Sequence, residues 1–384
     1  MKILLVTHYY PEHKSGIEIV AGNIANYIVK NHGFEIHWIS SDVTKHPETP
    51  NLFCYPAKTV NFFETKLTLP YPIWDFKSLL KIWHLTDTID IVHIHDYLYM
   101  GNLFAFLFAK IKKKPIIITQ HIGFIPYKNP IARLLLAFLN NTIGRIILQN
   151  SDQVIFISEN VQRYFSKITS FKRSPILIPN GFEDQYLNPL DSPEERKRVR
   201  EKLNLPKDKF IFLFVGRFIE KKGLHLLKEI VKEFPEDLWI FIGWGPLSPR
   251  KWRLDNVLVF ENLTMVDIIP FYQVANLLVL PSKGEGFPLV VQESMACGTP
   301  CIVSTETYNS YTPAKSLLFH ATLEGNDVAK RWVEALNNIK AKYKVAEEIR
   351  HKVAAFAKEH WNMETCISKY VQITNQRLNN YILK

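Results

Sequence analysis

One alternation, short β-branched runs followed by helical patterns, occurs twice along this chain and dictates most of what it can become. In the first 180 residues the strand-like runs are 2–7, 35–40, 91–95, 115–121, 153–158 and 175–179. Their apolar residues run on without strict alternation, as in strands covered on both faces. Between the first two, Val20, Ile24, Ala25 and Ile28 share one helical face, and Gly33 follows as a stop signal. The pattern breaks at 180–193, where Asn180-Gly181, Asn188-Pro189 and Ser192-Pro193 read as a linker. It resumes with strands at 210–215, 238–243, 257–260, 277–281 and 300–304, and helices at 223–234, 267–275 and 289–296. Repeated βα units demand parallel sheets, so two doubly wound α/β domains are expected, 1–180 and 181–360. The chain is helical in pattern from 326 onward, and 361–384 is expected to pack back towards the first domain. A length of 384 residues suits two cores better than one.

Hydrophobic residues at 47% against 22% charged exclude a disordered chain. The opening residues hold a run of only four apolar positions, 3–6, where a secretory signal needs about 7–15. The apolar stretches 103–109 and 131–139 stop far short of the roughly 20 residues that span a bilayer. Cys54, Cys297, Cys301 and Cys366 show no CxxC spacing and no nearby His pair in zinc-finger order, so reduced thiols and a cytoplasmic location are expected. The net charge of +10 is uneven: residues 1–180 carry 19 Lys and Arg against 12 Asp and Glu. Residues 97–151 contain no carboxylate, but do contain Lys110, Lys112, Lys113, Lys114, Lys128, Arg133 and Arg145 among Leu, Phe and Ile. Such a stretch suits an anionic membrane surface, the alternative being core-packed helices with solvated lysines. A nucleic-acid partner is not expected, because no RNP, zinc-finger or helix-turn-helix signature accompanies the basic balance.

The chemistry concentrates at strand ends in the second half, where open α/β sheets bind ligands. At 280–290 a strand gives way through Lys283-Gly284-Glu285-Gly286-Phe287 to a helix with Pro288 near its start. Free amides at such a helix start attract a phosphate or a sugar oxygen. Glu293 lies eight positions beyond Glu285, about 12 Å along a helix. That exceeds the roughly 5–9.5 Å between glycosidase carboxyls, so a hydrolytic pair is excluded. Upstream, Gly216-Arg217 and Lys221-Lys222-Gly223 bracket another loop that opens into a helix, and its cations suit a diphosphate. No Asp-x-Asp metal motif is present, so neither metal nor cofactor is expected.

The Glu285-x7-Glu293 pair, the trailing Met295-Ala296-Cys297-Gly298-Thr299-Pro300 and the Val215-Gly216-Arg217 to Lys222-Gly223 loop resemble glycosyltransferase family 4 (group 1). Fainter echoes are Gly16, Thr119-Gln120-His121 and Gly243-Trp244-Gly245-Pro246, so the resemblance runs over most of the chain. It implies a GT-B fold, two Rossmann-like domains facing a central cleft, and retaining transfer from a UDP- or GDP-sugar to a hydroxyl acceptor. The acceptor would be a lipid-linked or cell-surface glycan precursor, met by a cytoplasmic enzyme peripheral on the inner face of the membrane. Donor contacts would come from Gly16, Arg217, Lys222, Gly286, Phe287, Pro288, Leu289, Val290 and Glu293. Glu285 and His121 would be catalytic, beside the transferred sugar. The chain departs from the family in having Ser15-Gly16 in place of two glycines, in the stretch from Thr305 to Tyr311, and in Trp244 at a position usually polar. A nucleotide-sugar epimerase or a phosphorylase would share the two-domain layout. A silent binding protein is disfavoured by the intact Arg217, Lys222, Glu285 and Glu293.

Overall fold

The computed structural model describes residues 1–13, 16–62, 71–123, 130–183 and 186–382. The chain forms two compact units, Met1–Gly181 with Met363–Lys384, and Phe182–Asn362.

The first unit contains β1 (Lys2–Val6), β2 (Glu35–Ser41), β3 (Leu52–Ala57), β4 (Thr59–Val60), β5 (Ile73–Trp74), β6 (Ile91–His95), β7 (Ile116–Gln120), β8 (Gln153–Phe156) and β9 (Ile176–Leu177). Seven of them form a parallel sheet ordered β3-β2-β1-β6-β7-β8-β9, and β4 pairs with β5 as a small antiparallel ribbon. Every residue of β6, β7 and β8 is buried, which is why their sequences run apolar without alternation. The helix Gly16–His32 follows β1 and packs against the C-terminal helix Met363–Ile382 of the same unit. The run expected at 175–179 shrinks to two residues because Pro175 and Pro179 bracket it and proline cannot donate to a ladder.

The second unit is built on β10 (Ile211–Val215), β11 (Leu238–Ile242), β12 (Val257–Phe260), β13 (Leu277–Leu280), β14 (Cys301–Ser304) and β15 (Leu318–Ala321). They lie parallel in the order β12-β11-β10-β13-β14-β15. Both sheets are therefore doubly wound, the α/β class expected from the sequence. Strand order reverses between β1 and β6 in the first sheet and between β10 and β13 in the second, where ligands of such folds settle. Phe212 pairs with Leu277 and Leu213 with Leu278, so the loops leaving β10 and β13 emerge side by side. Among the described residues no helix is long and apolar enough to cross a membrane.

Candidate functional site

In the second unit the loops leaving β10 and β13 are joined into one seat. Residues 216–223 turn through Arg217 and a 3-10 turn at Glu220–Lys222 before Gly223 opens the helix Leu224–Lys232. Gly223 has φ +78, and a Cβ there would run into the carbonyl oxygen of Pro281. Only glycine lets the loops approach so closely. The amide of Lys283 donates to the carbonyl of Lys221 at 2.8 Å, a backbone stitch between them.

Across that seam the ammonium of Lys222 lies 3.0 Å from Glu285 Oε1, and that of Lys221 lies 3.4 Å from the same atom. Burial alone would raise the Glu285 carboxyl, but the two lysines overcome it and hold it down at about 2. Burial lowers Lys222 in turn, opposed by its attraction to Glu285. Glu285 is thus an anion clasped by cations. Behind it, both carboxylate oxygens of Glu306 accept the amide of Gly284 at 3.1 Å. The sequence placed Glu306 in a departing stretch; here it steadies the loop that carries Glu285.

Arg217 is exposed, its guanidinium 4.9 Å from the ring centroid of Trp244, which is itself 45% exposed. The amide of Phe218 donates to the carbonyl of Trp244 at 2.7 Å, and that of Gly216 to Ile242 at 2.9 Å. At Gly243, φ +154, a Cβ would strike the carbonyl oxygen of Gly216. Trp244 and Arg217 are therefore held as neighbours by backbone, and the cation–π contact follows from that framing.

The helix Leu289–Ala296 begins after Pro288 at its N-cap. The amides of Leu289 and Val290 precede the first intrahelical acceptor and stay open to an anion. One expectation changes here. Pro288 has no N–H and cannot donate. Phe287 is 2% exposed, its ring packed against Tyr311 and Trp361, and the role expected of it rests on its backbone amide alone. Glu293, on the same helix, accepts the hydroxyl of Tyr272 at 2.7 Å, and burial pushes its carboxyl up to about 7.

In the first unit His121 directly follows β7, 4% exposed, with Nε2 2.9 Å from Nδ1 of His95. Burial lowers it to about 3, which makes it a neutral imidazole. Its amide and that of Ile122 donate to Asp96 Oδ1 at 2.9 and 3.3 Å. His93 reaches Thr119 Oγ1 at 2.8 Å. Alternating His93 and His95 on one strand must share a face, a signal that sequence reasoning passed over. Also unanticipated is the buried pair of His8 and Glu18 at 2.8 Å, with His8 stacked on Tyr99 at 3.6 Å between centroids. Gly16 starts the helix Gly16–His32; it is exposed, and among the described residues a Cβ there would meet no atom within 4 Å beyond its chain neighbours and its own helix backbone. Ser15 lies outside the described residues, as does Lys128. Among the described residues no three His, Cys, Asp or Glu gather as a metal-holding group.

Residues 195–354 match the family model described as "Glycosyl transferases group 1", and residues 14–186 the one described as "Glycosyltransferase Family 4". An uncharacterised glycosyltransferase of Methanocaldococcus jannaschii is 24% identical over 99% of each chain. The alpha-monoglucosyldiacylglycerol synthase of Acholeplasma laidlawii is 25% identical over 56% of this chain and 58% of its own. Among solved structures, the sucrose-phosphate synthase of Thermosynechococcus elongatus superposes with a TM-score of 0.76 at 19% identity, covering 98% of both chains. Anabaena HepE in complex with UDP-glucose gives 0.74 at 15% identity, over 98% of this chain and 100% of that one.

Proposed function

The chain belongs to the group 1, family 4 glycosyltransferases, and from that premise we propose that it moves a sugar from a UDP- or GDP-sugar to a hydroxyl acceptor with retention of configuration. Both matched models are of transferases, and nothing in them favours an epimerase or a phosphorylase. The observation that carries the reading is the Lys222–Glu285 clasp at the strand-order reversal of the second sheet. In the proposed complex Lys222 and Arg217 bind the diphosphate, and the amides of Gly286, Phe287, Leu289 and Val290 hold phosphate or sugar oxygens. Glu285 accepts hydroxyls of the transferred sugar, Glu293 those of the ribose, and neutral His121 hydrogen-bonds to the sugar. Gly16 leaves room for the donor. The bond from anomeric carbon to phosphate oxygen breaks, the acceptor oxygen bonds on the same face, and its proton passes to the departing phosphate. Positioning and charge neutralisation then supply the catalysis, with the two cations in the place of a divalent ion and no metal required.

The relative named for monoglucosyldiacylglycerol synthesis and the neighbour solved with UDP-glucose support a nucleotide-sugar donor and a lipid-linked acceptor. The proposal extends to the cytoplasm, with the enzyme peripheral on the inner membrane face, supported by the carboxylate-free stretch 97–151. The test is a thermal-shift screen of UDP- and GDP-sugars, followed by transfer assays on lipid-linked acceptors in EDTA. A true donor at a hundredfold excess over its Kd stabilises by about 2.7 kcal/mol. A panel without any shift, an inverted product, or a loss of about tenfold or more in EDTA would overturn the corresponding part.

Two finer outcomes are expected. Ionised Glu293 is the form that accepts two ribose hydroxyls, so donor affinity rises through its value of about 7 and levels off above it. The carboxyl is raised on folding from 4.5, so its contribution to stability of the free protein falls as pH climbs from 4.5 to about 7. Affinity and stability move oppositely in that window, and Glu293→Gln flattens both in titrations of Kd and Tm. Trp244→Ala releases the Arg217 guanidinium and weakens donor binding about two- to fivefold by calorimetry, the worth of an exposed cation–π contact, whereas Trp244→Phe retains most of the affinity.

A further inference from the structure

Within the basic stretch 97–151, two lysines that follow the helix Met100–Ile111 are already engaged. Lys112 pairs with Asp87 at 2.6 Å and lies 3.9 Å from the centre of the Trp83 ring, while Lys114 donates to the carbonyl of Ile89 at 2.6 Å. The following helix, Pro130–Leu139, is arranged differently. Leu136 turns inward at 8% exposure, whereas Ile131, Leu134, Leu135 and Phe138 stand 75%, 73%, 55% and 62% exposed. These positions follow the i, i+3, i+4, i+7 spacing of a single helical face.

That face is extended by the backbone. A π-turn at Asn140–Gly144 links the helix to Arg145–Asn150. Such a turn absorbs about one extra residue. Ile146, eight positions after Phe138, would lie about 80° off in an unbroken α-helix; the π-turn returns it towards the same side, where it is 59% exposed. Arg133 and Arg145 flank this surface, both exposed, and no carboxylate lies between Asp96 and Asp152. Large exposed side chains of this kind mark a contact surface. The charge beside them fits an anionic partner and opposes an acidic-poor, basic one such as this same face on a second copy.

We propose that the outer face of 130–150, with Ile131, Leu134, Leu135, Phe138 and Ile146 as the apolar edge and Arg133 and Arg145 as its cationic border, seats the enzyme on an anionic lipid bilayer. The inference rests on the peripheral-membrane reading above and deepens it. The helix lies in the headgroup plane, its apolar edge dipping among acyl chains while the arginine stems keep their guanidinium groups among phosphates.

Sedimentation of the full chain with vesicles of phosphatidylcholine, alone or mixed with phosphatidylglycerol, tests it. Wild type is expected to partition at least about tenfold more strongly onto the anionic vesicles, with the difference shrinking at high salt. Leu134→Ser with Phe138→Ser, and separately Arg133→Glu with Arg145→Glu, each lower that partition by about tenfold or more. Val266→Ser, an exposed apolar site in the other unit, leaves it unchanged. The donor-induced thermal shift, measured on the same proteins, reports the transferase reading independently and is expected to be intact in all of them. Wild-type binding that the paired variants do not diminish overturns the 130–150 face while leaving a peripheral enzyme. Equal partition with and without phosphatidylglycerol overturns both. Self-association of wild type in solution, lost in Leu134→Ser with Phe138→Ser, also overturns the proposal by making this a protein–protein surface.

Discussion

Replacing Lys222 with alanine is expected to lower kcat by two to three orders of magnitude, about the loss seen when one preorganised group facing developing charge is removed. Lys222 is a short-range partner of a buried carboxylate and the proposed partner of the leaving diphosphate, so it acts before and during transfer. The free protein suffers as well. Breaking a buried pair costs about 3–5 kcal/mol, and Lys221, 3.4 Å from the same Glu285 oxygen, keeps the loss towards the lower end. The pH dependence identifies the cause. Glu285 is held at about 2 in the folded chain against an ordinary 4.5, so its stabilisation is complete above 4.5 and disappears as pH falls towards 2. Urea midpoints measured across that window should fall steeply for wild type and less so for Lys222→Ala. If kcat stays within about threefold of wild type, the leaving-group role fails.

Gly223→Ala is the second large effect. A methyl group there collides with the Pro281 carbonyl, and φ +78 is itself disfavoured for alanine by about 1–2 kcal/mol. The loops must separate, carrying Lys221 and Lys222 away from Glu285. The expected result is a folded protein with at least a hundredfold loss in kcat/KM, because misplacement near 1 Å at a transfer site costs about that much. Circular dichroism and the activity assay together check it. A variant that retains activity would mean the two loops need not abut for transfer.

The interior strands were readable because burial on both faces leaves a continuous apolar run, as in β10, β11 and β13. Of the edge strands, β12 was read and β9 was read too long, while β3 and β15 escaped. Residues Leu52–Ala57 contain Pro56 and a 46% exposed Phe53, tolerable only where one side of the strand goes unpaired. At the site, Glu285 and Lys222 were legible because glycine-bounded loops at strand ends announce themselves locally, and Glu293 by its eight-residue spacing from Glu285 on the helix that follows. Glu306, Tyr272 and the His95–His121 contact were not, since each joins elements distant in sequence and no spacing rule reports them. Pro288 was assigned with the amides around it, and its ring nitrogen carries no hydrogen to donate.

A seat that already carries its own counter-ion is expected to discriminate against small inorganic anions. Orthophosphate would have to part Lys222 from a carboxylate 3.0 Å away and, beyond a P–OH that carries its own negative charge towards Glu285, would offer that carboxylate little in return. A phosphorylated hexose offers hydroxyl protons to Glu285 in the same act that offers charge to the lysines. Occupancy there is an exchange of partners, which favours ligands bearing both functions and keeps the loop quiet in a phosphate-rich solution.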